Sequence, residues 1–207
     1  MQTHNTDYLV IGAGAMGMAF TDVLITESDA TVTVVDRHHQ PGGHWNMAYP
    51  FVRLHQPSSF YGVNSRQLGN NRIDTAGLNK GLYELASKDE ICAYYDSLMH
   101  DFVSSGRVQY LPMSEHGEDG KVTSLVSGKS QRIEANKVVD ATFMNVQVPA
   151  MAEPSYDVAE GVSCVAPNKL VESKGEWKHY VIVGAGKTSF DACLFLLEEG
   201  VGPESIC

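Results

Sequence analysis

The stretch Asp7-Tyr8-Leu9-Val10-Ile11-Gly12-Ala13-Gly14-Ala15-Met16-Gly17 decides the fold, because it is an apolar run that leads straight into G-x-G-x-x-G. A helical pattern follows over residues 15–26. A second apolar run, residues 31–35, ends at Asp36. A strand before the glycines, a helix after them and an acid about 20 positions further on are typical of a dinucleotide-binding βαβ unit. The sequence therefore predicts an α/β, Rossmann-like domain with a parallel sheet.

Each residue type in this motif has a role in holding a dinucleotide. Gly12 allows a tight turn out of the strand, Gly14 lets a diphosphate approach the backbone, and Gly17 lets the helix lie close to the sheet. The free N–H groups at the helix start attract phosphate. Asp36 can accept hydrogen bonds from ribose hydroxyls and would repel a 2′-phosphate, so this first site is predicted to take FAD or NAD and to reject NADP. Its predicted cofactor contacts are Gly12, Ala13, Gly14, Ala15, Met16, Gly17, Asp36 and Arg37.

Composition and charge limit the partners, the location and the metal sites that we expect for this protein. The net charge of −10 and the pI of about 5.2 argue against nucleic acid or an anionic membrane as a partner. No apolar stretch approaches the length of a membrane span, and the amino terminus lacks a signal-peptide pattern. The four cysteines are scattered and the histidines form no metal-binding pair, so we expect a cytoplasmic protein without a metal site.

Periodicity predicts the remaining elements of the first domain. The first helix is predicted to bury Met16, Phe20, Val23 and Leu24. A second helix should begin at a capping box led by Ser87 and end at Gly106. Three short runs, 107–111, 121–126 and 131–134, predict a small antiparallel β-meander, and the run 137–142 predicts a strand that returns to the parallel sheet.

The opening pattern recurs near the carboxyl terminus. An apolar run, residues 177–183, leads into Gly184-Ala185-Gly186-Lys187-Thr188-Ser189, which is G-x-G-x-x-S. This predicts the start of a second Rossmann-like domain, with Gly184, Gly186, Lys187 and Ser189 as contacts of NAD or NADP. The predicted helix stripe is Phe190, Cys193, Leu194 and Leu197.

These patterns give a division into residues 1–150, an FAD-binding domain, 151–176, an irregular connector, and 177–207, an incomplete NAD(P)-binding domain. The acid that would choose between NAD and NADP falls just past Cys207 by analogy with Asp36. A strand–helix pair buries too little apolar surface to form a domain, so we expect the chain to be the amino-terminal part of a longer design. A homo-oligomer that covers the exposed face is the alternative.

With both glycine motifs identified, the chain resembles the FAD- and NAD(P)-dependent flavoproteins with two dinucleotide-binding domains, and most of all the flavin-containing monooxygenases. Their G-G-x-W motif is matched by Gly42-Gly43-His44-Trp45, and their A-T-G-like strand end is loosely matched by Asp140-Ala141-Thr142-Phe143. The resemblance implies that FAD contacts Gly43, His44, Trp45, Ala141 and Thr142.

The same resemblance places an Asn beside the flavin, counted from a Tyr. Counting from Tyr49 here gives His55, with Gln56 next. Arg53, His55 and Gln56 are therefore the candidates for the polar groups that face the flavin, and no catalytic residue is assigned. The family's F-x-G-x-x-x-H signature is missing; residues 164–170 stand in its place.

Three functions stay open at this stage. The first is an FAD-dependent oxidoreductase that uses NAD(P)H to reduce flavin, monooxygenase-like, with an unknown small-molecule substrate. The second is a nucleotide-binding fragment or degenerate regulatory protein without turnover. The third is an NAD-dependent dehydrogenase with one Rossmann domain, against which the G-G-x-W loop and the meander argue. Dithiol chemistry is not expected, because Trp45 and Asn46 stand where the disulfide reductases carry cysteines.

Overall fold

The computed structural model describes residues 2–142, 156–173 and 177–207. In these ranges helices and strands alternate at first, and a run of strands follows. The strands are β1 (Thr3–Ile11), β2 (Val32–Val35), β3 (Val108–Leu111), β4 (Ser114–His116), β5 (Lys121–Ser124) and β6 (Ser130–Asp140). The helices are α1 (Ala15–Glu27), α2 (Lys88–Ser104), the single turn α3 (Pro167–Leu170) and α4 (Lys187–Glu198). None of these helices is long and apolar enough to span a membrane.

The six strands form one mixed sheet in the order β3-β2-β1-β6-β5-β4. The pairs β3–β2, β2–β1 and β1–β6 are parallel, and β6–β5 and β5–β4 are antiparallel. This confirms a Rossmann-like sheet with a small meander at one side. The carboxyl ends of the parallel strands lie at one edge, where nucleotides bind in doubly wound folds.

The strand predictions for the meander need two corrections. Residues 107–111 were predicted to belong to the meander, but β3 pairs in parallel with β2, and β4 supplies the third antiparallel strand. The runs 131–134 and 137–142, predicted as two strands, form the single strand β6. Residues 130–132 pair with β5 and residues 132–140 lie beside β1, so one strand serves both parts of the sheet.

Helix α1 confirms the predicted span, but of the four side chains predicted to be buried Leu24 alone is partly buried against the core. Met16 is 70% exposed, and Phe20 and Val23 are also exposed. The buried residues are instead Gly17, Met18, Thr21 and Asp22. Met18 fills the hydrophobic core, Gly17 lies against the glycine turn, and Thr21 donates to the Gly17 carbonyl at 2.8 Å.

Helix α2 begins and ends as predicted. The Ser87 hydroxyl accepts from the Glu90 N–H, and the Glu90 carboxylate accepts from the Ser87 N–H, which completes the capping box. Gly106, at φ 76°, follows the last turn. The predicted stripe packs on the sheet: Ile91, Tyr95, Leu98 and Phe102 are buried, while Tyr94 is half-buried.

The carboxyl-terminal unit is less regular than its sequence predicts. The predicted strand 177–183 is reduced to a short parallel contact, in which the Tyr180 and Ile182 N–H groups donate to Ser205 and Cys207 carbonyls, both at 2.8 Å. Helix α4 buries Ala192 and Leu196 rather than the predicted stripe. Phe190, Leu194 and Leu197 are exposed, because α4 packs through its Ala192 and Leu196 face against Leu170, Tyr180 and the loop around Phe51.

Candidate dinucleotide-binding site

The first Gly-rich turn is packed as closely as its sequence predicts. Gly12 has φ +100°, a conformation that L side chains rarely adopt. A Cβ on Gly17 would stand 1.9 Å from the Gly12 carbonyl oxygen, so only glycine allows α1 to come this near. Ala141 and Thr142 border the same turn, and the Ala141 N–H donates to the Ile11 carbonyl at 2.9 Å. The end of β6 thus forms one wall of the turn.

The G-G-x-W loop forms the opposite wall. A Cβ on Gly43 would lie 2.9 Å from the Cα of Gly14, so the two glycines meet backbone to backbone. The Gly42 N–H donates to the Ala13 carbonyl at 2.8 Å and fixes this contact. Among the residues that the structure describes, no side chain caps the amino terminus of α1, and the first turn of this helix holds no acid. The N–H groups and the positive end of the helix dipole at this cradle fit a diphosphate.

Asp36 faces the Gly-rich turn and not the solvent. Its side chain is only 5% exposed. Oδ2 accepts from the Ala13 N–H at 2.5 Å, while Oδ1 accepts from the His38 N–H at 2.7 Å and from His38 Nδ1 at 2.8 Å. A buried carboxylate at the end of β2 and beside the glycine turn can accept hydrogen bonds from a ribose and disfavours a 2′-phosphate.

Tyr110 contributes a second buried polar group near Asp36. Within the part of the chain that the structure describes, its hydroxyl is buried without a hydrogen-bond partner. Burial raises the pKa of Tyr110, and the negative charges of Asp36 and Asp96 raise it further, so the phenol keeps its proton. The end of β3 therefore offers a neutral donor on the same side of the sheet as the carboxylate.

Trp45 anchors the G-G-x-W loop in the core. It is 8% exposed, and its indole N–H donates to the Tyr61 hydroxyl at 2.7 Å. The Asn46 amide ties the loop together by donating to the Gly43 carbonyl at 3.1 Å. Of the neighbouring predicted contacts, Arg37 and His44 are exposed and Gly43 forms the cradle itself. The loop is thus held by Trp45 and presents glycine backbone to the site.

The three flavin-facing candidates lie within four residues of one another on a loop. Arg53 is exposed, and its Nη1 donates to the Leu85 carbonyl at 3.2 Å. His55 is exposed and Gln56 is half-buried. Leu54, which lies between Arg53 and His55, is buried. Among the described residues, no hydrogen bond joins His55 or Gln56 to the first Gly-rich turn.

The second Gly-rich turn is joined to this segment. Lys187 Nζ donates to the Arg53 carbonyl and pairs with Asp191 one turn along α4. The Tyr49 hydroxyl donates to Asp191 Oδ2 at 2.7 Å, and burial together with this bond raises the pKa of Tyr49. Phe51 and Phe195 stack with ring centroids 4.4 Å apart. The structure therefore brings Lys187 and Arg53 together, while a Cβ on Gly186 would touch nothing within 4 Å.

Three side chains with defined hydrogen-bond partners were not singled out from the sequence. His38 had a usable signal, its spacing of two residues from Asp36, the predicted ribose-binding acid. Asp191 had another, its position four residues after Lys187 on a predicted helix. Asp22 had no sequence signal, because a buried carboxylate in a helix is identified only by its partner. The Asp22 carboxylate is fully buried and accepts hydrogen bonds from the Ser65 N–H at 3.0 Å and from the Ser65 hydroxyl. Predicted residue Phe143 lies outside the described residues.

Comparisons with known proteins agree with this geometry. Residues 10–49 match the sequence model of the NAD(P)-binding Rossmann-like domain. An uncharacterized protein of Mycobacterium tuberculosis is 56% identical over 99% of this chain, which spans 38% of that relative. The FAD-dependent monooxygenase resA of Aspergillus sclerotiorum is 25% identical over 94% of this chain and 35% of its own length. The chain thus spans well under half of the curated relatives it matches.

Among solved structures, the closed crystal structure of cyclohexanone monooxygenase is similar over 96% of this chain and 37% of its own, at 21% identity and a TM-score of 0.53. At this identity the similarity concerns the fold. The chain is thus a Rossmann-like protein that shares the fold of the amino-terminal part of the flavoprotein monooxygenases.

Proposed function

We propose that this chain binds FAD at its first Gly-rich turn and provides the flavin-binding part of an NAD(P)H-dependent, monooxygenase-like oxidoreductase. The observation that carries the proposal is the cradle between Gly14 and Gly43, which lies beside an uncapped helix and a buried Asp36. The monooxygenase resemblance of the relatives supports FAD rather than NAD at this position. We propose a small molecule as the substrate.

The protein's own contribution is to bind and orient. The amino terminus of α1 and the Gly14–Gly43 contact hold the diphosphate, and Asp36 holds the ribose. When bound, the flavin would supply the redox chemistry of the site. Arg53, His55 and Gln56 are the proposed polar groups toward the flavin ring, and Ala141 with Thr142 close the wall of the turn.

At the second turn we propose the nicotinamide nucleotide. Gly184, at φ +140°, and Gly186 form the turn before α4, Ser189 lies in the first turn of the helix, and Lys187 in the same turn is paired with Asp191. This division of cofactors follows the proposed domains, 1–150 for FAD and 177–207 for the start of the NAD(P)-binding domain, with 151–176 as connector. We propose that turnover belongs to a longer form of the protein, in a reducing compartment that suits its four free cysteines.

The test is reconstitution of the purified chain with FAD, followed by gel filtration. We expect the protein fraction to carry the flavin absorbance band at about 450 nm. A Gly14→Val variant should lose this band, because its side chain would fill the cradle, whereas Gly186→Val should keep it. A wild-type chain that retains NAD tightly and no FAD would overturn the proposal in favour of a single-domain dehydrogenase.

A second measurement separates the enzyme from a binding fragment. Steady-state oxidation of NADPH by the FAD-loaded chain would exclude the fragment hypothesis for these 207 residues. Retention of FAD without oxidation would favour the fragment, and would leave the proposed FAD site intact.

A further inference from the structure

The carboxylate of Asp36 is almost fully occupied by protein donors. A carboxylate offers about four lone-pair positions, two on each oxygen. Oδ1 receives two donors, the His38 N–H at 2.7 Å and the His38 imidazole at 2.8 Å, and Oδ2 receives one, the Ala13 N–H at 2.5 Å. Because the carboxylate can only accept, the imidazole hydrogen lies on Nδ1. One acceptor position therefore remains, and it is on Oδ2.

His38 is itself held in place by the sheet edge. Its carbonyl accepts from the Met113 N–H at 3.0 Å, and the Asp36 carbonyl accepts from the Ser114 N–H at 2.9 Å. The His38 side chain is 26% exposed and that of Asp36 5%, so the imidazole is the more solvent-accessible member of the pair. The segment after β3 therefore fixes the backbone from which the imidazole reaches Oδ1.

We propose that His38 is a positioning residue for ribose recognition: its Nδ1–H saturates Asp36 Oδ1 and orients the carboxylate so that Oδ2, beside the Ala13 amide, accepts the ribose hydroxyl. The inference rests on the proposed function, because it assigns to this chain's own residues how the nucleotide at the first turn is recognised. Without the imidazole, Asp36 has a free lone pair on Oδ1 and fewer contacts that hold its plane, so discrimination for the ribose hydroxyls falls.

The experiment compares two competitors of bound FAD, ADP and 2′,3′-dideoxyADP, which differ only in the ribose hydroxyls. The wild-type chain should prefer ADP. His38→Ala should lower this preference about three- to tenfold, the range expected for loss of one ordinary hydrogen bond, because the imidazole acts on the ribose only through Asp36. His38→Asn should largely restore it, because the Asn amide N–H stands where Nδ1–H stood, whereas His38→Gln should not.

Two controls make the result specific. His39 is the exposed neighbour, and His39→Ala should leave the preference unchanged. In an Asp36→Ala background, His38→Ala should add no further loss, because the imidazole acts through that carboxylate. Thermal unfolding midpoints of all variants identify any that lose affinity by losing the fold.

The outcomes separate the two proposals. If the unchanged chain retained no FAD and bound no ADP, the proposed function would fail and this inference with it. If FAD were retained but His38→Ala kept the wild-type preference for ADP, only the assignment of His38 would be overturned. Equal rescue by His38→Gln and His38→Asn would also overturn it, because the position of the donor would then not matter.

Discussion

The two Gly-rich turns carry almost the same sequence and have very different surroundings. At the first turn, β1 pairs with strands on both sides, and the glycines contact Gly43 and the end of β6. At the second, residues 180–182 pair only with 205–207 in the described part of the chain, and Val181 and Val183 are more than three-quarters exposed. The comparison teaches that G-x-G-x-x-[GS] specifies a local conformation, whereas neighbouring strands and loops convert it into a closed cradle.

The third motif position shows the difference most sharply, because it is Gly17 in one turn and Ser189 in the other. Gly17→Ala should lower the free energy of unfolding by about 3 kcal/mol or more, since the new methyl group would overlap the Gly12 carbonyl and the backbone must move. Ser189→Ala is the matched control; a Cβ is already present there, and the change should stay within about 1 kcal/mol. Urea unfolding measures both.

Equal destabilisation by the two alanines would contradict this comparison. It would mean that the second turn is packed as closely as the first, or that Gly17 has more room than the structure shows.

Asp36→Asn gives the next largest effect, at the level of binding. The Asn amide must place its NH₂ against either the Ala13 N–H, where one hydrogen bond is lost, or the two His38 donors, where two are lost, and in either case donors face each other. FAD affinity should fall about 10- to 100-fold, measured by equilibrium titration. Asp29→Asn, at an exposed position, should bind FAD like the wild type. Unchanged affinity for Asp36→Asn would remove the ribose role from this residue.

A smaller effect is expected where the second turn docks on the first domain. Lys187→Met removes the bonds to the Arg53 carbonyl and to Asp191, whose side chain is only 14% exposed. We expect faster hydrogen exchange in α4 and a local loss of about 1–2 kcal/mol, with the exchange of α1 unchanged. Lys178→Met, at an exposed position, is the control. If α1 and α4 responded together, the two units would unfold as one and the contrast between them would need revision.

The smallest effect concerns the Asp140–Thr142 turn at the wall of the first site. Hydrogen bonds from the Thr142 hydroxyl and N–H lower the pKa of the Asp140 carboxyl. A lowered pKa in the folded state stabilises it at a pH above the ordinary value of about 4 and ceases to do so as the pH falls through the lowered pKa. Thr142→Val should raise the pKa of Asp140, which NMR titration measures. The pH range over which the ionised Asp140 stabilises the folded state should then begin at a higher pH.

An unshifted Asp140 in Thr142→Val would show that the backbone N–H alone sets this pKa. The fold around the turn should be the same whether or not the pKa shifts, because Thr142 is exposed at the surface.

The sequence predicts the first turn well because its determinants are local. Spacing identified Gly12, Gly14, Gly17 and Asp36, and the capping box located α2. It failed where tertiary contacts decide. Met16 and Phe20 have the spacing of a buried helical stripe. However, α1 packs on the glycine turn through the face that carries Gly17, and Thr21 and Asp22 are the side chains that are buried. Phe190 and Leu194 also have the spacing of a buried helical stripe, yet α4 packs through Ala192 and Leu196. The meeting of Tyr49 with Asp191 depends on contacts 142 residues apart, which no periodicity encodes.

Amide hydrogen exchange with and without FAD tests the central claim most directly, because it reports on both turns in one experiment. FAD should protect amides at the start of α1 and in the Gly42–Gly43 loop, and should leave residues 184–189 unchanged. Protection confined to the second turn, or no protection at either, would contradict the account that the cradle of Gly14, Gly43 and Asp36 holds the flavin nucleotide.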